Sequence, residues 1–362
     1  MNEHNFEPQE MEDPDFTETD SNEVPPIDIV AFNELRSCAD LYRLHDEGVL
    51  DVEPDFQREF VWSGAAQTRF IDSLTKQLPI PSMCLAFDYR KEIWVAIDGR
   101  QRLSTLFRFL GKEKWRLSKL DDINPEIAGQ LCTKIGQPGT DLYRYYQRVS
   151  NTSIPINVLR CDFGKSDHMD YIFTIFHRLN SGGIKLNNQE IRNCIFQGPF
   201  NDFLSEIDCY EPWRRINRMQ EGKNYRRVKQ ELCLRFLAFR EAPGAYAGQV
   251  AKFLNAFMKE YKEADQTKIE EFRSVVERTT KIVSAGVFAD EVVTTPTSVM
   301  EAMLVAISNN LDHLENESPP ELHSRYHQLR DDENFREDSV AEGLSKKDKV
   351  AKRLAAAARI FS

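Results

Sequence analysis

Residues 83–111 read MCLAFDYRKEIWVAIDGRQRLSTLFRFLG, and the way this stretch divides decides the fold. MCLAFDY and IWVAID are short apolar runs separated by the polar tripeptide RKE, which predicts two strands joined by a tight turn. After Asp98 and Gly99 the spacing changes. Leu103, Leu106, Phe107 and Leu110 recur at helical intervals, so a helix is predicted from Arg100 to Gly111. A strand thus runs directly into a helix through DGRQR (98–102), where two arginines flank a glutamine.

That junction has the parts of an anion site. A helix start presents unpaired backbone N–H groups and a partial positive charge, and Gly99 lets a ligand approach the backbone closely. Arg100 and Arg102 supply guanidinium forks suited to phosphate oxygens. Asp98 is placed to bind Mg²⁺ or position a nucleophile, and Gln101 to orient a water or bond a base or sugar. Ser104 and Thr105 lie one turn in, within reach of a phosphate or a metal-bound water. A plainer reading has Asp98 capping the helix while both arginines make surface ion pairs. Taken alone, the five residues favour the plainer reading, because short motifs recur by chance.

Outward from the junction, GAAQTRFIDSLTKQ (64–77) predicts a helix broken by the prolines of LPIPS (78–82). AFNELRSCADLYRLHDEG (31–48) has helical spacing and stops at a glycine, while DVEPDFQREFVWS (51–63) reads as extended. After a less regular stretch over 112–150, SIPINVLRCDF (153–163) predicts another strand. From His168 onwards helical periodicity dominates, over 168–179, 187–197, 225–241, 249–263, 268–284, 297–312 and 346–361. The expected class is α+β, with a mixed α/β front and a helical rear.

Four blocks in order carry a family resemblance: DFQREFVWS (55–63), FIDSLTKQLPIPSM (70–83), IDGRQRLSTL (97–106) and FHRLNSGGIKLNNQEIRNCIF (176–196). Together they resemble the N-terminal domain family of GmrSD-type restriction enzymes, related in fold to ParB and sulfiredoxin, with the helical remainder similar to the extension of stand-alone members. The resemblance implies a ParB-like nucleotide-binding domain over 28–165 and a helical region over 166–362, after an acidic tail at 1–27. It also implies nucleotide binding and hydrolysis at the DGQQR-type motif, in defence against phage DNA. Arg100 stands where the family's motif has glutamine. The added charge is expected to keep phosphate affinity and leaves hydrolysis open. The implied site comprises Asp98 and Gln101 as catalytic groups and Asp98 as the Mg²⁺ ligand, with a nucleoside triphosphate held by Gly99, Arg100, Arg102, Ser104 and Thr105.

The remaining blocks extend that site. Arg58 reads as a clamp for a second phosphate and Gln57 as a contact to ribose or base, whereas Phe56, Phe60 and Trp62 read as core. In RLNSGGIKLNNQEIRN (178–193), a Gly-Gly turn directs backbone N–H groups and Arg178 towards an anion, and Asn187 or Asn188 caps the helix bearing Glu190 and Arg192. Asn180, Glu190 and Arg192 either reach the nucleotide cleft or serve only to fix two helices together.

The formal net charge of −11 is uneven. Residues 1–25 hold nine acids and no lysine or arginine, leaving 49 acidic against 47 basic residues in the remainder. Such a tail buries too little apolar surface to fold, so disorder is expected there. Basic residues gather in WRRINRMQEGKNYRRVKQELCLRFLAFR (213–240), where Arg214, Arg215, Arg218, Lys223, Arg226 and Arg227, interleaved with Trp213 and Tyr225, form the candidate DNA-contact surface. The ordinary alternative is a solvated cationic face.

Other chemistries are excluded by pattern. There is no GxxxxGK[ST], HExxH or GxSxG motif, and no HNH-type arrangement is recognisable, which leaves DNA cleavage to a possible partner nuclease subunit. His313, His323 and His327 make a weak metal signal. Seven scattered cysteines without a CxxC pair read as reduced core thiols. No apolar run reaches the roughly 20 residues of a spanning helix, and the N-terminal residues lack signal-peptide features, so a cytoplasmic, membrane-free protein is expected. The alternative functions are a non-catalytic DNA-binding or regulatory module, and a nuclease using the Asp98 cleft.

Deleting residues 1–25 is expected to tighten DNA binding at low salt, because the acidic tail competes for the basic surface. The gain should shrink as salt screens it. Filter binding across a salt series measures this, and equal affinities throughout would reduce the tail to a solubility element.

Overall fold

A computed structural model of the chain describes residues 26–52, 62–179, 187–216, 228–289, 291, 295–335 and 345–362. The chain divides into two compact units, Glu23–Lys185 and Leu186–Ser362. The first contains β1 (Val30–Ser37), α1 (Cys38–Asp46), β2 (Leu50–Asp51), α2 (Gly64–Thr75), β3 (Met83–Asp88) and β4 (Ile93–Asp98). It continues through α3 (Arg100–Leu110), α4 (Cys132–Ile135), α5 (Tyr143–Asn151), β5 (Ser153–Cys161) and α6 (Ser166–Leu179). The five strands form one sheet in the order β1-β5-β3-β4-β2. β3 and β4 are an antiparallel hairpin, β3 runs parallel to β5, β2 parallel to β4, and β1 antiparallel to β5.

One face of this sheet presents Met83, Leu85, Trp94, Ala96, Ile154, Ile156 and Val158 to apolar residues of α1, α2, α3 and α5. Each buried Met, Leu, Ile or Val among them contributes about 1.5–3 kcal/mol by leaving water. Helix α6 packs near β4. The expected strands at 83–89, 93–98 and 153–163 and the expected helices at 64–77 and 100–111 are all present, within a few residues. Ser63 caps α2 through Oγ, which accepts from the Ala66 N–H at 3.2 Å.

The single helix expected over 31–48 is corrected. Val30–Ser37 pairs along its length with Ser153–Arg160, and only Cys38–Asp46 is helical. Ser37 marks the change, its Oγ accepting from the Asp40 N–H at 3.1 Å. Strand pairing outweighs a local spacing that suits either state. The irregular stretch 112–150 also contains α4 and α5, which the sequence reading did not find.

The second unit is helical: α7 (Asn188–Ile195), α8 (Pro199–Cys209), α9 (Glu211–Arg215), α10 (Val228–Glu241), α11 (Val250–Tyr261) and α12 (Gln266–Lys281). Then follow α13 (Thr297–Ser308), α14 (Leu311–Leu314), α15 (Pro319–Asp331) and α16 (Lys347–Ile360). Phe200, Phe257, Tyr261 and Phe272 make a ring cluster, with Phe200 and Phe272 centroids 5.5 Å apart. α13 is buried along its whole length between α10 and α16.

Charge is buried in this unit too. Arg235 of α10 pairs with Glu301 of α13 at 2.5 Å and with Glu231 at 3.8 Å. Arg353 of α16 is buried, and burial pushes its guanidinium below the usual arginine range while the Glu301 carboxylate acts in the opposite sense. Glu301 therefore lies among cations in a dry interface. Replacing it by leucine removes their counter-charge, and Glu301→Leu is expected to cost about 3–5 kcal/mol, the penalty for breaking a buried pair from one side. Urea denaturation of the variant checks this.

Candidate functional site

The junction between β4 and α3 is shaped by a β-bulge. Leu85 pairs with Ala96, yet the next residue back, Cys84, pairs with Asp98 rather than Ile97. The extra residue in β4 breaks the alternation. Strict alternation from Ala96 would send Asp98 into the face packed by α1 and α3. The bulge instead sets it opposite Cys84, where its side chain keeps 42% of its exposure. Burial pushes the Cys84 thiol up to about 12, with the Asp98 carboxylate adding to the shift, so this cysteine stays protonated at neutral pH.

Gly99 follows in the left-handed region at φ 94° and serves as the N-cap residue of α3 without a side chain to offer. A Cβ there would lie 2.7 Å from Met83 Cγ. Backbone conformation and close approach both demand glycine. The three guanidinium and amide groups beyond it take different directions. Arg102 donates from Nη1 to the Pro81 carbonyl at 2.7 Å, and from Nη2 to the Ser82 carbonyl at 3.3 Å and to Asp98 Oδ2 at 2.9 Å. Burial lowers its guanidinium from the usual range, with Asp98 opposing the shift. Gln101 Oε1 accepts from the Trp62 N–H at 3.3 Å. Arg100 turns inward, donating from Nε to the Val52 carbonyl at 3.1 Å. Thr105 is buried and spends its hydroxyl on the Gln101 carbonyl at 2.7 Å, one turn back on its own helix. Ser104 is half-buried.

The junction therefore joins an accessible carboxylate, an arginine that orients it, an amide and the first-turn N–H groups of α3. Residues 38–197 match the family model described as the GmrSD restriction endonuclease, N-terminal domain. Residues 38–197 are thus similar to a GmrSD-type N-terminal domain. No curated protein and no solved structure matches the chain.

Within the matched segment, Gln57, Arg58 and Asn180 lie outside the described residues, as do the Ser181-Gly182-Gly183 turn and the aromatic residues Phe56 and Phe60. Arg178 is exposed near the end of α6. At the domain's end the sequence offered two roles for Glu190 and Arg192, and both residues fix helices. Glu190 completes a capping box with Asn187, each side chain accepting from the other's N–H at 2.8 Å. Arg192 is fully buried, donates to Asn255 Oδ1 at 2.9 Å and pairs with Glu231 at 3.7 Å. With no exposed surface it is a tie between α7, α10 and α11. Asn193 joins the same buried network through Gln189 and Gln230.

In the second unit, one of the two aromatic partners of the basic segment is withdrawn from the surface, while Tyr225 lies outside the described residues. Trp213 is buried, its Nε1 donating to the Lys229 carbonyl at 3.1 Å and its ring 6.4 Å from Phe236. Arg214 and Arg215 are exposed on α9, Arg215 pairing with Glu211 at 3.4 Å. Arg218, Lys223, Arg226 and Arg227 lie outside the described residues, as does the acidic tail. Among the described residues, no helix is long and apolar enough to cross a membrane.

Sequence reasoning missed Met83, Pro81 and Ser82 as walls of the junction. Their only signal was the abrupt LPIPSM break before a strand. Gly99→Ala is expected to destabilise the domain by about 1–2 kcal/mol, the usual penalty for a left-handed alanine, with the Met83 contact adding to it. Chemical denaturation measures the loss, and a stability equal to the starting protein would mean that the junction relaxes freely.

Proposed function

We propose that this chain is a nucleotide-binding, NTP-hydrolysing component of antiphage restriction that acts on or near DNA. The observation that carries the reading is the Asp98–Arg102 arrangement at an uncapped helix start, inside a segment that matches the restriction-endonuclease family. The first-turn N–H groups of α3 receive phosphate oxygens. Arg102 is the positioning residue: it holds Asp98 Oδ2 and anchors itself on the 81–82 carbonyls, leaving Oδ1 to act on water. Gln101 is the second orienting group. The proposal retains from the resemblance a ParB-like fold, a cytoplasmic setting, phosphate contacts from Arg58 and Gln57, and a nuclease partner subunit for cleavage.

A divalent ion fits only in a particular way. Among the described residues no group of three His, Cys, Asp or Glu side chains could hold a metal. One carboxylate suits Mg²⁺ that arrives on the nucleotide's own phosphates. Such an ion would neutralise charge on the phosphoryl group; the residues themselves orient and position.

A second reading is favoured by the same ion pair. Asp98 is already engaged and Arg100 faces inward, which suits a chain that binds nucleotide as a signal without turning it over. Labelled-NTP hydrolysis, with and without DNA, separates the two. Under the first reading Asp98→Asn abolishes turnover while leaving the fold intact, and Arg102→Ala weakens calorimetric nucleotide binding more than Arg215→Ala. Binding without turnover in the unmodified chain supports the second. Absence of nucleotide binding overturns both.

A further inference from the structure

Helix α12 does not end cleanly: it widens into a π-helical turn over Ile282–Val287. Gly286 permits this turn to meet α15 closely, since a Cβ there would lie 2.5 Å from Leu322 Cδ1. Single π turns leave carbonyls outside the ordinary helical ladder and recur at functional positions. The Val287 carbonyl is taken by His323 Nδ1 at 2.8 Å. A carbonyl only accepts, so Nδ1 carries the proton, and in the neutral ring Nε2 is left with its lone pair.

One turn further along α15, His327 brings its own Nε2 to 3.0 Å from His323 Nε2. The rings stand almost perpendicular, at 80°, with centroids 4.6 Å apart. Both residues are exposed. Thr295 and Tyr326 bond each other at 3.0 Å beside them, and Phe288 packs edge-on against Tyr326 at 5.1 Å, so the turn below the pair is fixed. The two imidazoles share one hydrogen bond, with His327 as donor.

We propose that His323 and His327 form a binding site for one borderline divalent transition-metal ion, of the class of Cu²⁺, Ni²⁺ or Zn²⁺. Imidazole donors favour these ions over Mg²⁺ and Ca²⁺. Metal–nitrogen bonds of about 2.0–2.1 Å in a tetrahedral site set the two nitrogens about 3.3 Å apart. The pair therefore needs to open by only a few tenths of an ångström, while His327 moves its proton from Nε2 to Nδ1. The His323 Nδ1–H bond to a main-chain carbonyl is the usual outer support of a metal-binding histidine, fixing tautomer and ring plane. With no three-residue metal-binding group among the described residues, the outer coordination positions are open to water or to an added ligand. The site differs in donor chemistry from Asp98 and does not depend on the nucleotide reading.

Calorimetric titration of the metal-free full chain with Cu²⁺, Ni²⁺, Zn²⁺ and Mg²⁺, each alone, tests this. One equivalent of Cu²⁺ should bind most tightly, with Ni²⁺ and Zn²⁺ weaker and Mg²⁺ absent from this site. His327→Ala keeps the His323 bond to Val287, so it preserves the local packing, and it should lose that equivalent; His323→Ala should lose it as well. His313→Ala should retain it. Bound Zn²⁺ should raise the melting temperature of the starting chain and not that of His327→Ala. Failure of the chain to bind an equivalent, or unchanged binding by both single variants, overturns the proposal.

Discussion

The extra residue in β4 governs the front unit. Because Ile97 is accommodated as a bulge, Asp98 leaves the face packed by α1, α2, α3 and α5 and comes opposite Cys84. Everything at the junction follows from that half-turn. Gly99 then needs a left-handed backbone to redirect the chain, and Met83 fills the space where a side chain would have stood. Without the bulge the carboxylate would face Trp94 and Ala96 in a dry core, where an unpaired charge is far too costly to keep.

Arg102 fixes the result. By bonding the Pro81 and Ser82 carbonyls as well as Asp98, it ties the start of α3 to the segment that leads into β3. This guanidinium is a brace first. A ligand that approaches the helix start meets a carboxylate whose orientation is already set, and preorganisation of that kind lowers the cost of ordering the site on binding. Gln101 adds a second tie, through Trp62, to the end of the segment bearing Gln57 and Arg58.

The rear unit uses charge differently. Arg192, Glu231, Arg235 and Glu301 are nearly all removed from solvent and bond one another across α7, α10 and α13. Long basic side chains that suggest an exterior surface in a linear reading are here interior ties. Lys229 makes the same point, its Nζ donating to the Trp213 carbonyl at 3.4 Å within the core. Such pairs add little net stability, since desolvation offsets most of their attraction, while removal of one partner is costly.

By itself the sequence determined the hairpin, the helix after DGRQR, the strand at 153–161 and most rear helices, because each has one dominant periodicity and a recognisable stop. It also marked Asp98, Gly99, Gln101 and Arg102 as a group. Tertiary structure alone decided which way each of them points. A bulge shifts alternation by one residue and leaves no trace in residue spacing, so the exposure of Asp98 was not legible. Arg100 and Arg102 are the same residue type two positions apart, yet one reaches Val52 and the other Asp98. Val30–Ser37 shows the same limit, since only its pairing with β5 makes a strand of a stretch that also suits a helix. His323 and His327 were visible as an i, i+4 pair, but the carbonyl that fixes their tautomer comes from a π turn 36 residues earlier in the chain. Local pattern sets what each segment can form; contacts distant in sequence select the form and aim the side chains.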